Sequence, residues 1–370
     1  MRIIPFPAII PDLKKITPNE AFFNSVKKNY LTYNDSGMFK KTGVDAIYVY
    51  EIQTRFSSHT GVVAALDLDD YREGKVKKHE NTIHEKEKVQ MDLLLRRKAM
   101  VKPILLTYRH SDEIDQTLVG IRSNSQPMFE VTFDKIRQKH RFWQLTDSTV
   151  IAAIKKLFEK NIPCCYLADG HHRLTSNLHL DHNIPYNGKD KFDEALCAFF
   201  ADSQLLVKPF HRVFRNADIE ESVLINGVSA YADKIELPGN APTRKGEWSM
   251  CVNGNWTSWR WKDSLTEAYR TNRHVVLDVD ILNDKILHEA LGVEDIRSDK
   301  RISYVEGKRS ASALAKMSLG GVAFRLFPVD IDDLMTISDD DDIMPPKSTF
   351  FEPRLLNGLL IQELPEAIHS

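Results

Sequence analysis

A mixed α/β (α+β) fold is expected from three observations. Short β-branched and apolar runs recur along the first half of the chain, and stretches of helical periodicity lie between them. The composition, 42% hydrophobic and 28% charged, is that of a globular chain. At 370 residues it is long enough for two domains, or for one core with large insertions.

The first strands are read at residues 45–52 (DAIYVYEI) and 61–68 (GVVAALDL), separated by a Ser/His/Thr turn. A polar segment follows, and then Thr82-Ile83-His84-Glu85, which fits a capping box opening a helix over 83–98. That helix ends in Arg96, Arg97 and Lys98, which suit the negative end of its dipole. Residues 103–108 read as another strand. A second helix starts near Asp147 or Ser148, places Ile151, Ile154, Leu157 and Phe158 on one stripe, and stops before Pro163. Residues 164–168 (CCYLA) lack polar alternation, as in a strand buried on both faces. The chain then turns at Asp169-Gly170 and enters a helix over 171–179. Residues 205–207 and 209–214 suggest a strand pair closing this half. Beyond Asn216 the elements shorten, so the boundary is set there: 1–216 as one domain and 217–370 as a second α+β domain. In the second, a helix over 280–291 ends at Gly292, a good C′ residue. No internal repeat is visible.

Charge and cysteine usage exclude several classes. Fifty basic against fifty-two acidic residues give a formal charge of −2, so no global field draws the chain to nucleic acid or an anionic membrane. Cys164, Cys165, Cys197 and Cys251 form no CxxC and no zinc spacing, and read as buried free thiols of a reducing compartment. Asp12, Lys14 and Lys15 interrupt any signal-peptide core, and no run approaches the roughly 20 apolar residues of a membrane span. A cytoplasmic protein is expected.

The chemistry concentrates in Asp169-Gly170-His171-His172-Arg173. Free N–H groups at a helix start, a glycine that lets an anion approach, and a favourable dipole make a phosphate cradle. Arg173 can grip phosphoryl oxygens as a fork, and His171 and His172 add donors whose charge follows pH. Asp169 is placed to hold a magnesium ion or to orient a histidine. The plainer alternative is that Asp169 caps the helix while the histidines face solvent. Upstream, Lys78, His79 and Glu80 put a carboxylate among cations, able to take a proton from a hydroxyl nucleophile, or simply form a solvated charge run. Lys347, Ser348 and Thr349 sit in a proline-primed turn that either lends them to a phosphate or is a structural loop. The run Asp339 to Asp342 reads as a solvated cap. His211 and Arg212 are additional candidate phosphate contacts, although alternation puts only one on a given face. No GxxxxGK[ST] loop, GxGxxG or kinase HRD/DFG pair is present.

Taken together, 168–173 (ADGHHR), 78–80 (KHE), 208–212 (KPFHR), 277–279 (LDV) and 344–349 (MPPKST) resemble the family of free L-serine kinases that use inorganic pyrophosphate. The resemblance implies a ParB/sulfiredoxin-like phosphate-binding core with insertions, and a C-terminal domain that lends the Lys347-Ser348-Thr349 loop to the site. It implies the reaction of L-serine with pyrophosphate to O-phospho-L-serine and phosphate with Mg2+, in serine and cysteine metabolism. In relatives that use nucleotides a glutamate deprotonates the serine hydroxyl, a role that falls here on Glu80, with Asp169 supporting the metal. Lys78 joins Gly170, His171, His172 and Arg173 as a phosphate contact, with His79 a further candidate. The sulfiredoxin pattern Gly-Cys-His-Arg is altered, since His171 stands at the cysteine position and excludes sulfinic-acid repair through that residue. An ATP- or ADP-dependent serine kinase and a non-catalytic nucleotide-binding regulator are the other readings; L-serine and pyrophosphate are the partners expected, without nucleic acid or membrane.

Overall fold

The computed structural model describes residues 1–183, 193–215, 220–271 and 273–364. The chain forms two compact units, Met1–Leu206 with Pro353–Ser370, and Val207–Glu352. The expected boundary at 216/217 falls on residues outside those described. The fold class is mixed α+β.

The first unit is built on a nine-stranded mixed sheet. From one edge the strands run Val76–Lys77, Cys165–Asp169, Ile104–Tyr108, Glu194–Ala201, Ser58–Asp67, Ile47–Gln53, Gln138–Leu145 and Phe129–Phe133. Ile3–Ile4 pairs off this path with Ser58–Asp67. Two pairings are parallel, Cys165–Asp169 with Val76–Lys77 and Glu194–Ala201 with Ile104–Tyr108. Central strands are apolar on both faces because helices cover the sheet, and Val62 to Leu66 and Ala195 to Ala201 are fully buried. A smaller four-stranded sheet orders Phe39–Lys41, Ala8–Pro11, Ile361–Glu363 and Ala99–Met100.

The strands expected around 45–52, 61–68, 103–108 and 164–168 are present, as is the helix Ser148–Asn161. Asp147 caps that helix by accepting from the Thr149 and Val150 amides at 2.9 and 3.0 Å, worth about 1 kcal/mol. Three expectations are corrected. The helix His84–Arg97 has no side-chain cap: Ile83 occupies the cap position, and the Thr82 hydroxyl bonds the Glu87 carboxylate rather than the helix amides. Leu206–Arg215 is one continuous strand instead of a pair, because Pro209 contributes no donor and the strand tolerates it. The helix at 280–291 is a short α-turn, Asp278–Ile281, running into a π-helix, Leu282–Ala290. Gly292 takes φ +63 beyond its end. The hairpin Phe129–Phe133 with Gln138–Leu145 was not among the expected elements. Its polar-looking second strand is held by a buried Tyr50 Oη to His140 Nδ1 hydrogen bond of 2.6 Å.

In the second unit the sheet order is Ala232–Ile235, Asn255–Trp261, Glu247–Val252, Gly321–Leu326, Leu206–Arg215 and Ile302–Glu306, with Thr349–Glu352 also pairing with Leu206–Arg215. Val213, Cys251, Val305, Leu314 and Ala323 pack together on one face. All four cysteines are free, and Cys164 alone of them is not fully buried.

Candidate functional site

The strand Cys165–Asp169 leads into Gly170 and then into the helix His171–Asn183. Cys165 to Ala168 are buried, so the strand end is anchored. Its register against Ile104–Tyr108 shifts between Leu167 and Asp169, a bulge that turns the Asp169 carboxylate out of the sheet pattern. Gly170 has φ +111, and a Cβ there would lie 2.7 Å from Arg173 Nη2. Glycine is therefore required twice, for the left-handed turn and for the guanidinium that folds over it.

Arg173 Nη2 donates to Asp169 Oδ2 at 2.9 Å, and Nη1 donates to the Pro103 carbonyl at 2.8 Å. Lys102 Nζ donates to the same Asp169 oxygen at 3.1 Å. Desolvation raises the Asp169 carboxyl, but Arg173 and then Lys102 outweigh it, so the group is ionised well below the usual carboxylate range. Half of its side chain stays exposed.

Positive charge converges here from distant parts of the chain. Lys102 is depressed by desolvation and by Arg173, and Arg354 on the returning C-terminal segment acts on both Lys102 and Asp169. Arg97 is buried with its guanidinium on the carbonyls of Leu93 and Lys27 and is lowered to about 10, by burial first and Arg173 second. Lys27 is lowered by desolvation, Arg97 and Arg173. These mutual repulsions describe one cluster of cations served by the Asp169 carboxylate. Sequence reading missed Lys27, Lys102 and Arg354 and read Arg97 only as a complement to the helix dipole. Lys102, directly before the strand at 103–108, is the one local signal that could have been used.

The segment 78–80 is brought to the motif through His79, whose ring meets that of His171 edge-on at 4.6 Å. Both imidazoles are buried, and His79 Nδ1 and His171 Nε2 have no hydrogen-bond partner among the described residues. Burial lowers both, His171 to about 4 and His79 well below its ordinary value, so both are neutral at pH 7. Lys78 is exposed and Glu80 half-buried. His172 turns away from the turn: its Nε2 accepts from the Ile83 amide at 3.1 Å and so supports the start of the neighbouring helix. Behind it, Ser176 donates to the Glu87 and His172 carbonyls and ties the two helices together.

The remaining candidates lie in the second unit. Arg212 is 1% exposed, donates to the Phe210 carbonyl at 2.5 Å and sits over the Tyr304 ring. His211 is also buried; its Nδ1 accepts from the Leu326 amide at 3.3 Å, and burial lowers it to about 4. Lys347 has φ +58 and places its ammonium over Phe210. Ser348 spends its hydroxyl proton on the Pro345 carbonyl, and Thr349 opens the strand Thr349–Glu352.

For magnesium, one Asp169 oxygen is committed to two cations. Among the described residues no group of three or more His, Cys, Asp or Glu is arranged to hold a metal. Any magnesium ion here would have Asp169 as its carboxylate ligand at the turn, with phosphate and water completing its shell.

Solved structures similar to this chain are remote. A free serine kinase mutant in complex with ADP has a TM-score of 0.39 at 13% identity, over 78% of this chain and 87% of that one. SbnI with a C-terminal truncation, from Staphylococcus aureus, has a TM-score of 0.42 at 13% identity, over 80% and 85%. A conserved hypothetical protein from Pyrococcus furiosus has a TM-score of 0.38 at 14% identity, over 80% and 94%. Likeness of this degree assigns no activity. No curated protein matches the chain. No helix among the described residues is long and apolar enough to cross a membrane. The family model of a protein of unknown function, DUF1015, matches residues 8–281, well over half of the chain, and the protein belongs to that family.

Proposed function

We propose that the chain is a phosphotransferase that moves a phosphoryl group from inorganic pyrophosphate to the hydroxyl of free L-serine, on a ParB/sulfiredoxin-like core. The observation that carries the reading is the excess of cations over carboxylates where a glycine turn opens the helix His171–Asn183. Phosphoryl transfer asks chiefly for positioning and charge neutralisation. Lys102, Arg97, Arg354 and the helix-start amides supply a field suited to a compact polyanion, and pyrophosphate carries more charge per atom than a nucleotide. Arg173 is braced on Asp169 and the Pro103 carbonyl, so its fork is held in place before a ligand arrives.

The neutral His171 and His79 pack against one another beside the turn, each with a buried ring nitrogen that has no partner among the described residues. Glu80, next to His79, is the proposed base for the serine hydroxyl. Mg2+ would be held by Asp169 and would neutralise charge on the phosphates.

The test supplies the full chain with L-serine, MgCl2 and either pyrophosphate, ADP or ATP, and reads O-phosphoserine by mass spectrometry. Product with pyrophosphate is expected. Product only with a nucleotide would replace the donor, and none with any donor would leave a phosphate-binding module without catalysis.

A further inference from the structure

Within the first unit, the strand Ile361–Glu363 lies in the small sheet, and the Gln362 side chain reaches the large sheet, where its Nε2 donates to Glu194 Oε2 at 3.3 Å. The Gln362 Oε1 is buried and has no partner among the described residues. Glu194 opens the strand Glu194–Ala201 and stands directly opposite Asp67 across the antiparallel pair, a register that sets two carboxyl groups side by side. Arg2 lies 3.4 Å from Asp67 and Lys41 pairs with Glu363, but no ion pair reaches Glu194 among the described residues. Burial first, and then Asp193, Asp45 and Asp67, push the Glu194 carboxyl up to about 7.

An ionised carboxylate offers only acceptors, so it uses the N–H of the Gln362 amide and leaves Oε1 orphaned. A carboxylic acid offers both kinds of group: its C=O accepts from Nε2 while its O–H donates to Oε1. Uptake of one proton from solvent therefore removes a like charge beside Asp67 and satisfies the buried oxygen in the same step.

We propose that Glu194 and Gln362 form a proton-dependent latch that holds the returning segment 353–364 on the large sheet, closed when Glu194 is protonated and loosened when it ionises. That segment carries Arg354, whose charge acts on Lys102 and Asp169, so the latch sets how firmly this charge is held beside the glycine turn. The docked segment binds the proton more tightly than the free one between the ordinary glutamate value of 4.5 and about 7. The contribution of the latch is whole below that window and is lost as pH rises through it.

Hydrogen exchange of the full chain at pH 6 and pH 8, corrected for intrinsic rates, tests this at the Gly358 and Leu364 amides, which bond the carbonyls of Val101 and Lys98. No substrate is present, so the outcome is independent of the phosphotransfer reading. Protection in the wild type should fall about tenfold from pH 6 to pH 8. Glu194→Gln, whose amide donates as the acid does, should keep its pH 6 protection at pH 8. Asp45→Asn, at an exposed position, removes one like charge and should lessen the fall. Flat protection in the wild type would overturn the proposal, as would an undiminished fall in Glu194→Gln or, should that variant not fold, in Asp45→Asn.

Discussion

Gly170 and Arg173 depend on one another. The turn has φ +111 and the guanidinium lies where a Cβ would stand, so Gly170→Ala strains the backbone and displaces Arg173 from Asp169 and the Pro103 carbonyl together. The pyrophosphate binding we propose, followed by calorimetry, should weaken at least tenfold in this variant while most of the fold persists. Wild-type affinity would mean that Arg173 takes no part in holding the anion. The pairing was half legible in the sequence, where Asp169, Gly170 and Arg173 stand within five positions. Lys27, Lys102 and Arg354 were not, because long-range strand and loop placement brings their charges together and no local pattern encodes it.

At the scale of elements, the segment before the helix His84–Arg97 docks onto the motif helix through the His79–His171 ring pair and the Ile83 amide on His172. Both folded-state pKa values lie below the ordinary histidine value, that of His171 at about 4, so the unfolded chain binds more protons once the pH falls below about 6.5. The stability from these groups is fully present above about pH 6.5 and is lost as pH falls, the His171 part by about pH 4. Each tenfold difference in proton affinity between the folded and unfolded chain is worth about 1.4 kcal/mol. Urea midpoints at pH 7.5, 6 and 5 should fall on the acid side. His79→Phe, which keeps a ring and removes a titrating site, should flatten that fall relative to wild type; an identical slope would remove His79 from the account. The helix at 83–98 was legible from its capping box and basic end, and the helix at 171–179 from the Asp169-Gly170 turn before it. The capping box failed because Thr82 found an acceptor in the buried Glu87, two residues beyond the four-residue motif.

For the whole molecule, the first unit is completed by chain that arrives last. The chain leaves this unit at Leu206 and returns at Pro353. Ile361–Glu363 then pairs with both Ala8–Pro11 and Ala99–Met100, while the Gly358 and Leu364 amides bond the carbonyls of Val101 and Lys98 at 2.7 and 2.9 Å. Leu355, Leu359, Leu360, Ile361 and Leu364 are all buried. Nothing in local composition near 353 marks the return, since pairing across such a separation leaves no trace in periodicity. At about 2 kcal/mol for each buried aliphatic side chain, losing this segment removes a sum comparable to the net stability of a typical domain. A chain ending at Glu352 should therefore bind a hydrophobic dye and lose its cooperative melt in the first unit, even though the cation cluster apart from Arg354 and the whole 168–173 motif are still encoded. A truncated chain that kept the full-length melting profile would show that the segment 353–364 only decorates a core already complete without it.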